Sequence, residues 1–181
     1  DRLGHKKQKK IIMGPIGFDE SEEELPEWTG PSISIFDIMP RKFSALAHLP
    51  YPCPYYSKFM VDFLVNAVEV AVSLGFTVVL KQKRKISHKI QGPFQLALKN
   101  LSAHPKVILL DSKFSAHRII KNTDMTISAP FTSTALIALK FKKPSLYYDP
   151  SGGLSTDQKL AHNLPIACSK KEIKDWILQN L

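Results

Sequence analysis

Short apolar runs alternate with amphipathic stretches along most of this 181-residue chain, and this alternation restricts the fold more than any other feature. Runs of four or five mainly apolar residues between turn signals predict buried strands, whereas apolar residues that recur every three or four positions predict helices. Strands that alternate with helices form βαβ units, in which the strands lie parallel. The sequence therefore predicts an α/β domain with a Rossmann-like sheet of five or so parallel strands and helices on both faces.

The predicted strands lie at residues 32–36, 77–80, 107–110, 125–128 and 144–148. Helical spacing predicts helices near residues 57–74, 94–101, 114–121 and 132–141, and a last helix after residue 169. We expect Ser57 to be the N-cap of the first helix and Gly75 to end it. Ser169 and Glu172 have the spacing of a capping box, which predicts that the last helix begins there.

Residues 1–31 differ from the rest of the chain in composition. They combine a basic start with a stretch of Gly, Pro and acidic residues around Trp28, so we interpret them as a tail or linker and residues 32–181 as the domain. The first residue is Asp1 and not Met, which leads us to expect further residues upstream, an acceptor domain among them.

The charge of the chain points to phosphates as ligands. The formal net charge is +9, and the excess of Lys and Arg lies after residue 40. The chain lacks an apolar run of the about 20 residues that span a membrane, its N-terminus lacks a signal-peptide pattern, and its two cysteines lack metal-ligand spacing. We therefore expect a cytoplasmic protein that meets the membrane, if at all, peripherally at its inner face.

In an open parallel sheet, ligands bind in the loops at the carboxyl ends of the strands. One such loop holds the hydroxyls of Ser128, Thr132, Ser133 and Thr134 where a predicted helix begins. The free N–H groups and partial positive charge of a helix N-terminus suit a diphosphate. The alternative is that Thr132 or Ser133 only caps the helix.

A second loop at the same edge is basic. Residues 81–89 contain Lys81, Lys83, Arg84 and His88, whose positions after the second strand allow contact with phosphates held by the Ser/Thr loop. The alternative is a solvated charged surface without a ligand. The sequence has no GxGxxG or GxxxxGKS/T motif and no metal-binding or hydrolase motif, so we predict no cofactor and no metal.

Residues 123–138 and 143–150 carry a resemblance to a known family. The order of aspartate, apolar strand, Ser/Thr-rich turn, helix, Lys-Pro and apolar strand resembles bacterial surface-carbohydrate biosynthesis proteins, which look like the C-terminal donor-binding domain of GT-B glycosyltransferases. A similar Ser-Ser turn occurs in the glycerophosphotransferases that build teichoic acids. Residues 34–40 and 80–85 extend the similarity, which spans roughly residues 33–181.

The resemblance implies a function and a set of ligands. Ser128, Thr132, Ser133 and Thr134 would hold the diphosphate of a nucleotide-sugar donor, and the cations of residues 81–84 would neutralise it. The sugar would pass to a saccharide or lipid-linked acceptor, while the helix terminus and basic loop, in place of a metal, stabilise the leaving diphosphate. The chain departs from the GT-B pattern because residues 132–143 contain no acid for the ribose.

Two other functions compete with sugar transfer. Sugar-nucleotide 2-epimerases share the two-domain GT-B architecture, although their catalytic carboxylates have no counterpart in register here. A non-enzymatic module that binds nucleic acid or a membrane surface would also explain the basic charge. The chain has neither an RNP-like aromatic motif nor a helix-turn-helix signal, so we expect a nucleotide sugar and not nucleic acid as the partner.

Overall fold

A computed structural model describes residues 24–41, 53–83, 92–153 and 161–181. In these ranges the strands are all parallel and form one sheet in the order β3-β2-β1-β4-β5-β6. The strands are β1 (Ser32–Phe36), β2 (Thr77–Lys81), β3 (Val107–Leu110), β4 (Met125–Ser128), β5 (Ser145–Tyr148) and β6 (Ile166–Ala167). The helices are α1 (Ser57–Ser73), α2 (Gly92–Ser102), α3 (Ala116–Asn122), α4 (Ser133–Lys140) and α5 (Lys170–Gln179). The predicted Rossmann-like α/β fold is confirmed.

Hydrophobic residues cover both faces of the sheet. Alternate residues of β2 point to opposite sides, so Val78 and Leu80 belong to a large cluster with α1, α2 and α5, while Val79 belongs to a smaller cluster with α3 and α4. Leu25 and Trp28 pack against this smaller cluster. The last part of the predicted linker therefore contacts the domain, whereas its residues 1–23 lie outside the described ranges.

Helix α1 begins one residue earlier than its sequence suggested. Tyr56 is the N-cap, with an extended backbone, and Ser57 is the first helical residue. The Ser57 hydroxyl is buried and has no hydrogen-bond partner among the described residues, so the prediction that it caps the helix is wrong. The predicted stop is confirmed, because Gly75 adopts φ +93° and the helix ends in a Schellman motif, with the Phe76 amide 3.1 Å from the Ala71 carbonyl oxygen.

Candidate functional site

A cleft of about 530 Å³ opens at the carboxyl ends of β1, β2 and β4. The chain order of the sheet reverses between β1 and β4, and ligands of open α/β sheets bind at such a reversal. The cleft is lined by residues from the ends of these strands, the loops that follow them and the first residues of α3 and α4: Phe36, Asp37, Ile38, Pro54, Tyr55, Lys81, Lys83, Ala116, Pro130, Phe131, Thr132, Ser133 and Thr134.

The structure brings together most of the site residues that the sequence suggested. Lys81 and Lys83 line the same cleft as residues 132–134, so the basic loop and the Ser/Thr loop meet at the carboxyl edge of the sheet. Arg84 and His88 lie outside the described residues. Any role of these residues in binding a nucleotide sugar stays a prediction.

Ser128 supports the cleft from below instead of lining it. Its side chain is buried, and its hydroxyl shares a hydrogen bond of 2.8 Å with the Thr134 hydroxyl. Thr134 in turn lies 3.2 Å from the Thr132 hydroxyl. Ser128 therefore positions a cleft hydroxyl and is not among the residues that line the cavity.

Helix α4 begins at the cleft without a side-chain cap. Thr132 occupies the N-cap position with an extended backbone, but its hydroxyl donates to the Ala129 carbonyl oxygen at 2.8 Å and makes no cap hydrogen bond. Ser133 is the first helical residue and is exposed, and the first turn contains no acidic residue. Thr132 therefore does not cap the helix through its side chain.

The basic wall of the cleft consists of one buried and one exposed lysine. Lys81 ends β2 with 9% of its surface exposed, and its Nζ donates to the Gln82 carbonyl oxygen at 3.1 Å. Burial lowers the pKa of Lys81, and the nearby carboxylates of Asp37 and Asp111 oppose that effect. Lys83 is exposed at the mouth of the same cleft.

Asp37 is a cleft residue to which the sequence reasoning gave no role. It follows β1 directly, is 6% exposed, and its carboxylate accepts the Lys83 backbone N–H at 2.6 Å. Burial raises the pKa of Asp37 to about 6, although the Lys83 N–H and the charges of Lys81 and Lys83 act in the opposite direction. A signal was present, because the carboxylate directly after a buried strand must lie at the ligand edge of the sheet.

Phe131 is a second residue that the sequence reasoning did not single out. Its backbone adopts φ +59°, a left-handed conformation that is rare for bulky side chains. Its ring is 42% exposed, lines the cleft, and has its centroid 5.9 Å from that of the buried Tyr147 ring. The Tyr147 hydroxyl donates to the Thr132 carbonyl oxygen at 3.1 Å, which ties β5 to the turn before α4.

The described ranges contain neither a candidate metal site nor a candidate membrane-spanning helix. No group of three or more His, Cys, Asp or Glu residues there is arranged to hold a metal ion. Among the helices of the described parts, none has the length and apolar character needed to cross a membrane.

Comparison with known proteins returns one family. No curated protein sequence matches the chain. The model of a family described as polysaccharide biosynthesis PFTS motif protein matches residues 1–177 and supports a role in polysaccharide biosynthesis. The four letters of that description occur here as Pro130, Phe131, Thr132 and Ser133, the turn that lines the cleft between β4 and α4. Since the match covers almost the whole sequence, the chain belongs to the polysaccharide biosynthesis PFTS motif protein family.

Proposed function

We propose that the cleft binds the diphosphate of a nucleotide-sugar donor, and that the chain is the donor-binding part of a glycosyltransferase of polysaccharide biosynthesis. The observation that carries the proposal is the convergence of the uncapped start of α4, the side chains of Thr132 and Ser133, and two lysines in one cleft at the reversal of the sheet. The family motif forms one wall of that cleft.

The chemistry of the cleft matches a diphosphate. Backbone N–H groups at a helix N-terminus, hydroxyls and lysine ammonium groups are all hydrogen-bond donors that favour an anion. Lys81 lies on a wall of low solvent exposure, where an electrostatic attraction is stronger than in bulk water. The cavity volume of about 530 Å³ falls within the roughly 300 to 1,000 Å³ of typical small-molecule sites.

These groups would act on the leaving group of a sugar transfer. As the bond between the anomeric carbon and the diphosphate oxygen breaks, negative charge accumulates on the diphosphate. Lys81, Lys83 and the start of α4 lie in the cleft where that charge develops, so they would stabilise it. The acceptor, a saccharide or a lipid-linked saccharide, and the base that activates its hydroxyl belong to the other domain of such an enzyme.

Calorimetry with UDP, GDP and CMP tests the proposal. We expect binding that Lys83→Ala weakens by about tenfold or more and Ser133→Ala by about two- to tenfold, because a charged contact is stronger than a neutral hydrogen bond. Lys99→Ala, on the exposed side of α2, is the matched control and leaves affinity unchanged. Nucleotide binding that neither cleft substitution weakens would move the site elsewhere, and no binding at millimolar nucleotide would contradict donor binding.

A salt titration separates this function from nucleic-acid binding. For binding to a DNA backbone, the logarithm of the association constant falls steeply and linearly with the logarithm of the salt concentration, because condensed counterions are released. We expect UDP to bind the chain in preference to a DNA duplex at physiological salt. Tight, strongly salt-dependent DNA binding together with undetectable UDP binding would favour the nucleic-acid module.

A further inference from the structure

The backbone of Phe131 has an unfavourable left-handed conformation, and its side chain is partly exposed. Exposed apolar side chains are common and need no explanation by themselves. A bulky residue in the left-handed region is uncommon, and such conformations concentrate at functional sites. Lys142, His162 and Asn163 adopt it as well, but of these four described residues only Phe131 lines the cleft. Glycine or asparagine would adopt φ +59° at lower cost.

The Phe131 ring contacts a buried aromatic ring and is also partly exposed. Its contact with Tyr147, with centroids 5.9 Å apart and planes at 45°, restricts its orientation. Phe131 is 42% exposed and lines the cleft together with Thr132 and Ser133. The geometry is that of a fixed flat apolar wall next to a set of anion-binding groups.

We infer that Phe131 is the platform on which the nucleobase of the donor stacks. The inference rests on the proposed function, since it assumes that the diphosphate lies at the start of α4. A nucleoside diphosphate joins an anionic group to a flat aromatic ring, and the cleft presents the complements of both side by side. Stacking on an aromatic side chain accepts any base, because every base has a π face.

Tyr55 is the other exposed aromatic residue on the wall of the cleft, but its ring is already engaged. The Arg41 guanidinium lies 5.2 Å from the centroid of the Tyr55 ring in a cation–π contact. A base that stacked on that face of Tyr55 would have to displace the guanidinium. Phe131 is therefore the better candidate for a stacking surface.

The test compares three ligands that differ by one part each: pyrophosphate, UDP and UDP-glucose. Phe131→Gly removes the ring and suits the positive φ, and Phe131→Asn does the same without the flexibility of glycine. We expect both variants to bind pyrophosphate as the parent does and to lose at least about fivefold in affinity for UDP and UDP-glucose alike. Phe131→Tyr keeps the parent affinities, and so does the control Leu96→Ala, which truncates an exposed apolar side chain of α2 outside the cleft.

Each other outcome overturns the platform in a recognisable way. A loss confined to UDP-glucose would assign the ring to the sugar, and an equal loss for pyrophosphate would show that the substitutions disturb the phosphate loop. Unchanged UDP affinity in both variants would remove the platform while the proposed function stands. If the parent binds neither pyrophosphate nor UDP, the proposed function fails first and the platform with it.

Discussion

Helices α4 and α5 both follow an extended residue with a hydroxyl side chain, but the two hydroxyls behave differently. At α5, the Ser169 hydroxyl accepts the Glu172 N–H at 3.2 Å, and the Glu172 carboxylate accepts the Cys168 N–H at 2.6 Å. At α4, the Thr132 hydroxyl turns away from the helix and donates to the Ala129 carbonyl oxygen. A side chain thus caps a backbone N–H at the start of α5, whereas the start of α4 faces the cleft without a side-chain cap.

The two helix starts also differ in the third helical position. Glu172 occupies this position in α5 and Ala135 in α4. An acid in the first turn supplies the negative charge that a helix N-terminus attracts, so it competes with any anionic ligand. The start of α4 therefore differs from that of α5 in lacking an acid, a feature that it shares with α3, whose N-cap is Ser115.

The largest expected effect is on folding stability and concerns Asp37, the acid of the cleft. Asp37 in the cleft has its pKa raised from 3.8 to about 6, so the folded state retains a proton that the unfolded chain releases. Folding stability from this group is greatest below pH 3.8, falls as the pH rises toward 6, and stays lower above it. Asp37→Asn keeps an acceptor for the Lys83 N–H and removes the charge, so we expect it to raise the free energy of unfolding above pH 6 by up to about 3 kcal/mol.

Urea unfolding of the parent and of Asp37→Asn at pH 4.5 and pH 8 measures this effect. The gain should be clearly larger at pH 8, whereas Asp62→Asn, on the solvent side of α1, should change little at either pH. A loss of stability on Asp37→Asn at pH 8 would mean that the carboxylate stabilises the cleft, as Glu172 stabilises α5, and the contrast between the two regions would disappear.

The second-largest effect is expected on pyrophosphate affinity and concerns Lys81. Because burial disfavours its charged form, we expect Lys81→Met to leave the free energy of unfolding unchanged or higher. Loss of the buried cation should weaken pyrophosphate binding by about 10- to 100-fold, the range for a charge-assisted contact. Lys99→Met is the control in both assays. Parent-like pyrophosphate affinity in Lys81→Met would exclude Lys81 from the site.

Ser169→Ala examines the capped helix. Loss of a side-chain cap typically costs about 0.5 to 2 kcal/mol, so we expect the free energy of unfolding to fall by that amount, with pyrophosphate affinity unchanged. Chemical denaturation and calorimetry on the same preparation give both quantities. Weaker pyrophosphate binding in this variant would place the anion at the wrong helix.

Ser133→Ala is the reciprocal experiment at α4 and gives the smallest effect. Ser133 is exposed, so we expect the free energy of unfolding to stay within about 0.5 kcal/mol of the parent. Its hydroxyl borders the cleft, and its loss should weaken pyrophosphate binding by about 0.5 to 1.5 kcal/mol. If Ser133→Ala lowers stability as much as Ser169→Ala and leaves binding intact, Ser133 is structural.

The sequence predicted what depends on local pattern. Strands β1, β3 and β4 match residue for residue, because each is a buried run between turn signals. Strand β6 was missed, since its two residues are too few for any periodicity. The Ser169 cap of α5 was predicted correctly because its partners are neighbours in sequence, although Glu172 accepts the Cys168 N–H and not that of Ser169.

The environment of Asp37 depends on strand pairing and was out of reach of local pattern. The register of β1 and β2 pairs Phe36 with Lys81, which brings the next residue, Asp37, beside the basic segment. Nothing near Asp37 in sequence indicates that it is buried or that it accepts the Lys83 N–H. The left-handed backbone of Phe131 was equally hidden, because glycine or asparagine is the usual signal for it.

We expect the start of α4, unlike that of α5, to receive a phosphate group. Titration of the ¹⁵N-labelled chain with pyrophosphate, followed by amide NMR spectra, tests this directly. The Ser133, Thr134 and Ala135 amides should show saturable shifts, and the Lys171 and Glu172 amides should not move. Unmoved α4 amides at millimolar pyrophosphate, or equal shifts at both helices, would contradict it.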